Sequence, residues 1–165
     1  MRKKCLKKKL LNAVNEVAFM KYPSKVINIS YGKALVATKN LPAGTIVQVF
    51  KGKVIPYKDV PTKMVCHAIC VGEGNEDKWV VSKTNAIYAN HSCDPNCIVD
   101  DNLNVVTKKE VKKSNELTFC YNLLEDDEPE IDFFWDKRWN FECKCGSKNC
   151  QKNINKYRKD KALKK

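Results

Sequence analysis

Three cysteines within one short run, Cys143-Lys144-Cys145-Gly146-Ser147-Lys148-Asn149-Cys150, constrain this chain more than any other feature. Cys143 and Cys145 are too close for a comfortable mutual disulfide. The spacing suits thiolates converging on one ion, and Gly146 permits the sharp turn this needs. Zinc favours four ligands in a closed tetrahedron, so three cysteines leave one position to fill. The best candidate for the fourth is Cys93, in Asn90-His91-Ser92-Cys93-Asp94-Pro95-Asn96-Cys97, although spacing alone barely separates it from Cys97. The chain carries 9 cysteines, an odd number, whereas secreted disulfide scaffolds tend to even counts. Reduced thiols, some of them bound to metal, fit better.

A chain of 165 residues is one domain with short extensions, long enough to bury a core without many staples. No apolar run approaches the roughly 18–20 residues that span a bilayer, so no membrane partner is expected. The opening stretch, MRKKCLKKKLLNAVNEVAF, has a basic head but no apolar core and no clear small-residue cleavage site. It reads as a helix and not as a signal peptide, which predicts an intracellular protein of cytoplasm or nucleus. Much of the net charge of +12 sits at the two ends, from Arg2 to Lys9 and from Lys152 to Lys165. Charge runs of this kind usually only solvate a chain, but they also allow weak nucleic-acid contact through counterion release.

Leu6, Leu10, Leu11, Val14 and Val17 recur at helical spacing, which predicts an amphipathic helix over residues 5–20, ended by Tyr22-Pro23. From Val26 to Ile55 the chain reads as short strands, with β-prone runs at Ala34–Ala37 and Thr45–Phe50 and a turn at Leu41-Pro42-Ala43-Gly44. Residues 56–75 show no clear pattern. Trp79-Val80-Val81 reads as a strand, Asn85–Asn96 as a loop, and Asn102–Val111 and Glu116–Tyr121 as further strands. An acidic loop at Glu125–Asp132 precedes the cysteine tail, and a short basic helix is expected from about Gln151. Many short strands joined by turns predict a mainly β core (α+β class) in place of alternating βαβ units.

The motifs share one likeness. Asn90-His91-Ser92-Cys93-Asp94-Pro95-Asn96 resembles the NHSCxPN signature of SET-domain protein-lysine methyltransferases. Glu116-Leu117-Thr118-Phe119-Cys120-Tyr121 resembles their second signature, ELTFDY. Cys143–Cys150 is similar to the post-SET CxCx4C segment, and Tyr31–Thr38 to the opening GxGxxA segment. All occur in family order.

The resemblance implies a SET fold, small β-sheets around a pseudoknot in which the second signature threads beside the first. It implies a basic helical extension at 1–25, a SET domain at 26–135 with a variable insert at about 56–85, a post-SET zinc segment at 136–152 and a basic tail at 153–165. The cofactors it implies are S-adenosylmethionine and Zn2+, with Cys93, Cys143, Cys145 and Cys150 as the metal ligands. The implied partner is a protein substrate offering a lysine, such as a histone or another basic protein. Tyr121 matches the active-site tyrosine. Gly32, Lys33, Asn90 and His91 match the cofactor-contacting positions. Phe119 and Tyr121 match positions lining the lysine channel. A phenylalanine at 119 leaves room for a bulkier methylated amine, which favours di- or trimethylation.

Several positions depart from the pattern. Ala34 replaces the second glycine of the opening motif, Ile87 an arginine before the asparagine, and Cys120 the aspartate of the second signature. The usual Tyr-x-Gly-Glu reads Phe50-Lys51-Gly52-Lys53. The acidic stretch 125–132 reads either as a solvated loop offsetting the basic ends or as the lining of a groove for a basic peptide. Two other classes stay open: a catalytically silent SET-like binding module, and a small zinc-dependent nucleic-acid-binding protein.

Overall fold

The computed structural model describes residues 22–72, 77–121 and 137–155. The expected helix over 5–20, the acidic stretch 125–132 and most of both basic ends lie outside them.

The described chain is almost all strand and turn. β1 (Ser24–Ile29) and β2 (Gly32–Ala37) form an antiparallel hairpin whose register runs from Ser24↔Ala37 to Ile29↔Gly32. Gly32 has φ +131, a conformation that only glycine adopts readily, and a Cβ there would meet nothing within 4 Å. The requirement is therefore conformational, and the space beside the turn is open. The last four residues of β2, Ala34 to Ala37, are all buried, because residues 114–117 run along its other edge. Leu117 N–H donates to the Leu35 carbonyl at 2.8 Å, and Ala37 N–H to the Asn115 carbonyl at 3.0 Å.

A second sheet joins β3 (Ile46–Val49) and β8 (Cys97–Val99) to the two edges of β9 (Asn104–Thr107). β9 starts later than sequence pattern suggests, because Asp100 organises a tight turn. Its carboxylate accepts from the backbone N–H of Asn102 and Asn104 at 2.9 and 2.8 Å. Leu103 turns through φ 61 yet stays 3% exposed. A third sheet orders β4 (Gly52–Ile55), β6 (Trp79–Ser82) and β5 (Ile69–Cys70). The patternless stretch before β5 holds two 3-10 helices, Tyr57–Asp59 and Thr62–His67. Asn85–Asn96, read as a loop, contains a 3-10 helix at Asn85–Tyr88, whose N-cap Thr84 accepts from Ala86 N–H, and then β7 (Asn90–His91).

Of the basic helix expected from about Gln151, only residues 151–155 are described, and they are not helical. The chain there forms β12 (Asn153–Asn155), antiparallel to β11 (Asn140–Glu142), with Ile154 opposite Phe141. The alternation Asn-Ile-Asn is a strand pattern, and burial of Ile154 to 3% exposure fixes it.

Two cores result. The larger gathers Leu35, Leu41, Val47, Val105, Val111 and Leu117 between the first sheets. The smaller is aromatic: Trp79 and Trp139 stack with centroids 5.3 Å apart, and Tyr57 packs on both. Trp139 Nε1–H also donates to the Val65 carbonyl at 3.1 Å. The segment that leads into the cysteine tail is thereby fastened to the 3-10 helix at 62–67.

Candidate active site and metal centre

The site forms where two distant segments meet. β10 (Thr118–Phe119) lies parallel to β7, pairing Thr118 with Asn90 and Phe119 with His91. Asn96 locks the meeting point. Its Nδ2–H donates to the Glu116 carbonyl at 2.7 Å, and its Oδ1 accepts from Thr118 N–H at 2.9 Å. One amide thus imitates a neighbouring peptide group, which aspartate or leucine cannot do. Ser92 N–H adds a bond to the Phe119 carbonyl at 3.2 Å.

Asn90 ties this crossing to the β1–β2 turn. Its Nδ2–H groups donate to Glu116 Oε1 at 2.7 Å and to the Lys33 carbonyl at 3.0 Å. Tyr31 donates its hydroxyl to the other Glu116 oxygen at 3.0 Å, and Lys33 Nζ sits 5.3 Å from the centre of the Tyr88 ring. Gly32, Lys33, Asn90 and His91 therefore share one locale.

Tyr121 ends the crossing segment. Its hydroxyl donates to the Ala89 carbonyl at 3.0 Å, and its backbone N–H to His91 Nδ1 at 3.0 Å. Burial first, then the nearby charges of Cys66 and Glu116, push its phenol well above the usual 10. Burial pulls the His91 imidazole down to about 4. Tyr121 and Phe119 border a narrow cleft with Phe50, Ile69, Cys66 and His67. Ile87, where the family pattern has arginine, lines the same cleft. Phe119 packs edge-on to Phe50 at 5.8 Å and against Tyr121 at 4.9 Å. The walls are mostly apolar, with the Tyr121 oxygen and the Ala89 carbonyl as a polar pair.

Beside this cleft the Sγ atoms of Cys93, Cys143, Cys145 and Cys150 all lie within 4.8 Å of one another. Cys93 and Cys143 are 3.7 Å apart. A tetrahedron with zinc–sulfur distances of about 2.3 Å has edges of about 3.8 Å, so the donor set fits zinc in size and chemistry. Backbone N–H groups point at the sulfurs: Cys93 at Cys145 (3.5 Å), Gln151 at Cys93 (3.4 Å) and Lys152 at Cys150 (3.4 Å). Burial pushes the Cys145 thiol up, but hydrogen bonds from Cys93 N–H and Ser147 outweigh it and hold the thiol at about 5. Burial raises Cys93 and Cys143, so gathering four thiolates requires a cation between them. Gly146, at φ 71, makes the turn between ligands. Cys97, the alternative by spacing, points elsewhere. It is 0% exposed in β8, and burial pushes its thiol up to about 12. No disulfide joins any cysteine among the described residues.

Sequence reasoning left several participants without a role. Glu116 stood inside a recognised motif, but nothing marked it as the anchor of Asn90 and Tyr31. Ala89 acts through its carbonyl, which no side chain announces. Cys66 and His67 come from the patternless insert.

Comparison with known proteins follows the same lines. The SET domain family model matches residues 32–122. A histone-lysine N-methyltransferase, H3 lysine-36 specific, from Cryptococcus neoformans var. neoformans serotype D is 28% identical over 141 residues, covering 76% of this chain. The match spans 16% of that relative's length. Among solved structures, a Plasmodium falciparum protein named as a histone methyltransferase is similar at TM-score 0.53 and 16% identity, over 64% of this chain and 97% of that one. The structure of KRYPTONITE in complex with mCHG DNA and SAH is similar at TM-score 0.57 and 20% identity, over 81% of this chain and 29% of that one. These two likenesses agree with the mostly β architecture of short antiparallel sheets.

Proposed function

The chain belongs to the SET domain family, and from that premise we propose that it is a protein-lysine N-methyltransferase, using S-adenosylmethionine to methylate a lysine of a histone or another basic protein. The observation that carries this reading is the convergence of Tyr121, Phe119 and Ala89 in the lining of an apolar cleft, with Tyr121 bonded to the Ala89 carbonyl and to His91, and with the adjacent Asn90 bonded to Lys33.

Gly32, Lys33, Asn90 and His91 would hold S-adenosylmethionine, which would supply a methyl group on a sulfonium, so the protein need not supply a nucleophile of its own. The chain's residues then have two tasks. The first is to keep the acceptor amine neutral. A free lysine has a pKa of about 10.4, and the apolar walls of Phe50, Ile69 and Phe119 disfavour its charged form. The second is alignment. Because the Tyr121 hydroxyl donates to Ala89, its oxygen is left to accept an N–H of the amine and turn the nitrogen lone pair into the cleft. Phe119 places no hydroxyl there, which supports di- or trimethylation over monomethylation.

Zinc on Cys93, Cys143, Cys145 and Cys150 would close a four-thiolate site with no open position, a structural role. The basic ends support weak contact with nucleic acid, and Lys108, Lys109, Lys112 and Lys113 are exposed basic side chains on the folded body. Such contact and a histone substrate together favour a nuclear site of action.

The test is transfer from labelled S-adenosylmethionine to core histones and to native lysate. Label on lysine is the expected result. Intact binding of S-adenosylhomocysteine with no label on any protein would instead identify a silent binding module.

A further inference from the structure

We propose that His91 is a positioning residue that couples the four-cysteine metal centre to the Tyr121 segment, so that metal occupancy tightens the cofactor and acceptor site. This rests on the reading of the two sites given above.

The imidazole spans the gap between them. Its Nδ1 accepts the Tyr121 backbone N–H at 3.0 Å, so Nδ1 carries no proton. The proton of the neutral ring then sits on Nε2, which lies 3.2 Å from Cys93 Sγ. One tautomer satisfies both contacts, with a nitrogen accepting on the Tyr121 side and an N–H donating on the sulfur side. The ring also packs against Tyr121, with centroids 5.4 Å apart and planes at 69°.

The strength of the sulfur contact depends on what Cys93 is doing. A metal-bound thiolate carries negative charge and accepts well, whereas a thiol is a weak acceptor that also carries a proton of its own. Metal on the cluster therefore strengthens the Nε2–H···S bond, fixes the tautomer and holds the Nδ1 lone pair on Tyr121. Loss of metal weakens that bond and frees the ring to turn, and Tyr121 loses its backbone anchor. Outer contacts of this kind orient the groups around a metal and tune it in turn.

Coupling of two sites is reciprocal. The full chain should bind S-adenosylhomocysteine about tenfold more tightly with zinc than after chelation, and S-adenosylhomocysteine should raise zinc affinity by the same factor. Calorimetry gives the first factor and competition with a chromophoric chelator the second. His91→Asn keeps an acceptor near the Nδ1 position but loses the donor to Cys93. His91→Gln reaches Cys93 but loses the acceptor. Because His91 also belongs to the cofactor-contacting set, each variant should bind S-adenosylhomocysteine more weakly, but the ratio of its affinities with and without zinc should fall to within about twofold of one. Only His91→Asn should also speed zinc release. A third readout needs no variant: in the cobalt-loaded wild type, the thiolate-to-cobalt absorption band should shift when S-adenosylhomocysteine binds. Coupling that persists unchanged in both variants, or a cobalt band that does not move, overturns the relay and leaves the proposed function standing. A wild type that binds neither zinc nor S-adenosylhomocysteine overturns both.

Discussion

At the scale of single residues, the site depends on side chains that act as pieces of backbone. Asn96 is the clearest case, since its amide gives to Glu116 and takes from Thr118 across the crossing of two segments. Asn96→Asp keeps the shape but loses the donor, leaving the Glu116 carbonyl facing a carboxylate. An unsatisfied pair of this kind costs about 1–3 kcal/mol, so denaturant unfolding should show a loss in that range, and an unchanged midpoint would contradict the role. The motif resemblance made residues such as Asn90, Asn96 and Tyr121 legible as a set. It did not make legible what each one touches. That the His91 ring faces both Tyr121 and Cys93 depends on a strand pairing between residues far apart in sequence, which no local pattern encodes. Spacing alone could not choose Cys93 over Cys97; the resemblance implied Cys93, and the structure supplies the physical reason, because β8 turns Cys97 into the core.

At the scale of elements, the smaller aromatic core joins three stretches of the chain: the 3-10 helices through Tyr57 and Val65, β6 through Trp79, and residues 137–139 through Trp139. Trp139→Ala should cost about 3–5 kcal/mol. It should also raise amide exchange in both Thr62–His67 and the cysteine tail, and protection unchanged in one of them would show that they are not fastened together. Sequence pattern revealed the elements with strong local signals. The turn at Leu41–Gly44 is there, with Gly44 at φ 81; β3 falls within the run read as a strand, and β6 extends its run by one residue, to Ser82. Pattern failed where structure is set by distant contact. The 3-10 helices of the insert are too short to display a period. Among the described residues after Cys150, packing of Ile154 opposite Phe141 makes Asn153–Asn155 a strand where a basic helix was expected. Gly52 shows the same limit: a Cβ there would overlap the Val81 carbonyl of the paired strand, a constraint invisible until β4 meets β6.

At the scale of the whole molecule, a small β scaffold is held to its task by its tail. Cys93 lies 50 residues before Cys143, so a metal bound to the four cysteines would cross-link the crossing segments to the C-terminal part. With zinc about 100-fold above its dissociation constant, the linkage amounts to about 2.7 kcal/mol. Chelation should then lower the melting temperature by about 5–10 °C, with re-addition of zinc restoring it, and a melting curve indifferent to chelator would remove the metal from this account. The family was legible in the order of four motifs, and the mainly β class in the many short strands joined by turns. The substrate was not, since the chain spans 16% of the length of its lysine-36-specific relative and the insert shares no motif with the family. The central claim is that Tyr121, positioned by Ala89 and His91, aligns an acceptor lysine for methylation, and a single-turnover comparison of wild type with Tyr121→Phe tests it most directly when S-adenosylhomocysteine affinity is measured alongside. The rate should fall about 100-fold or more while affinity changes little, because the lost hydroxyl faces the amine and not the cofactor pocket; a variant that transfers methyl at the wild-type rate would contradict the account.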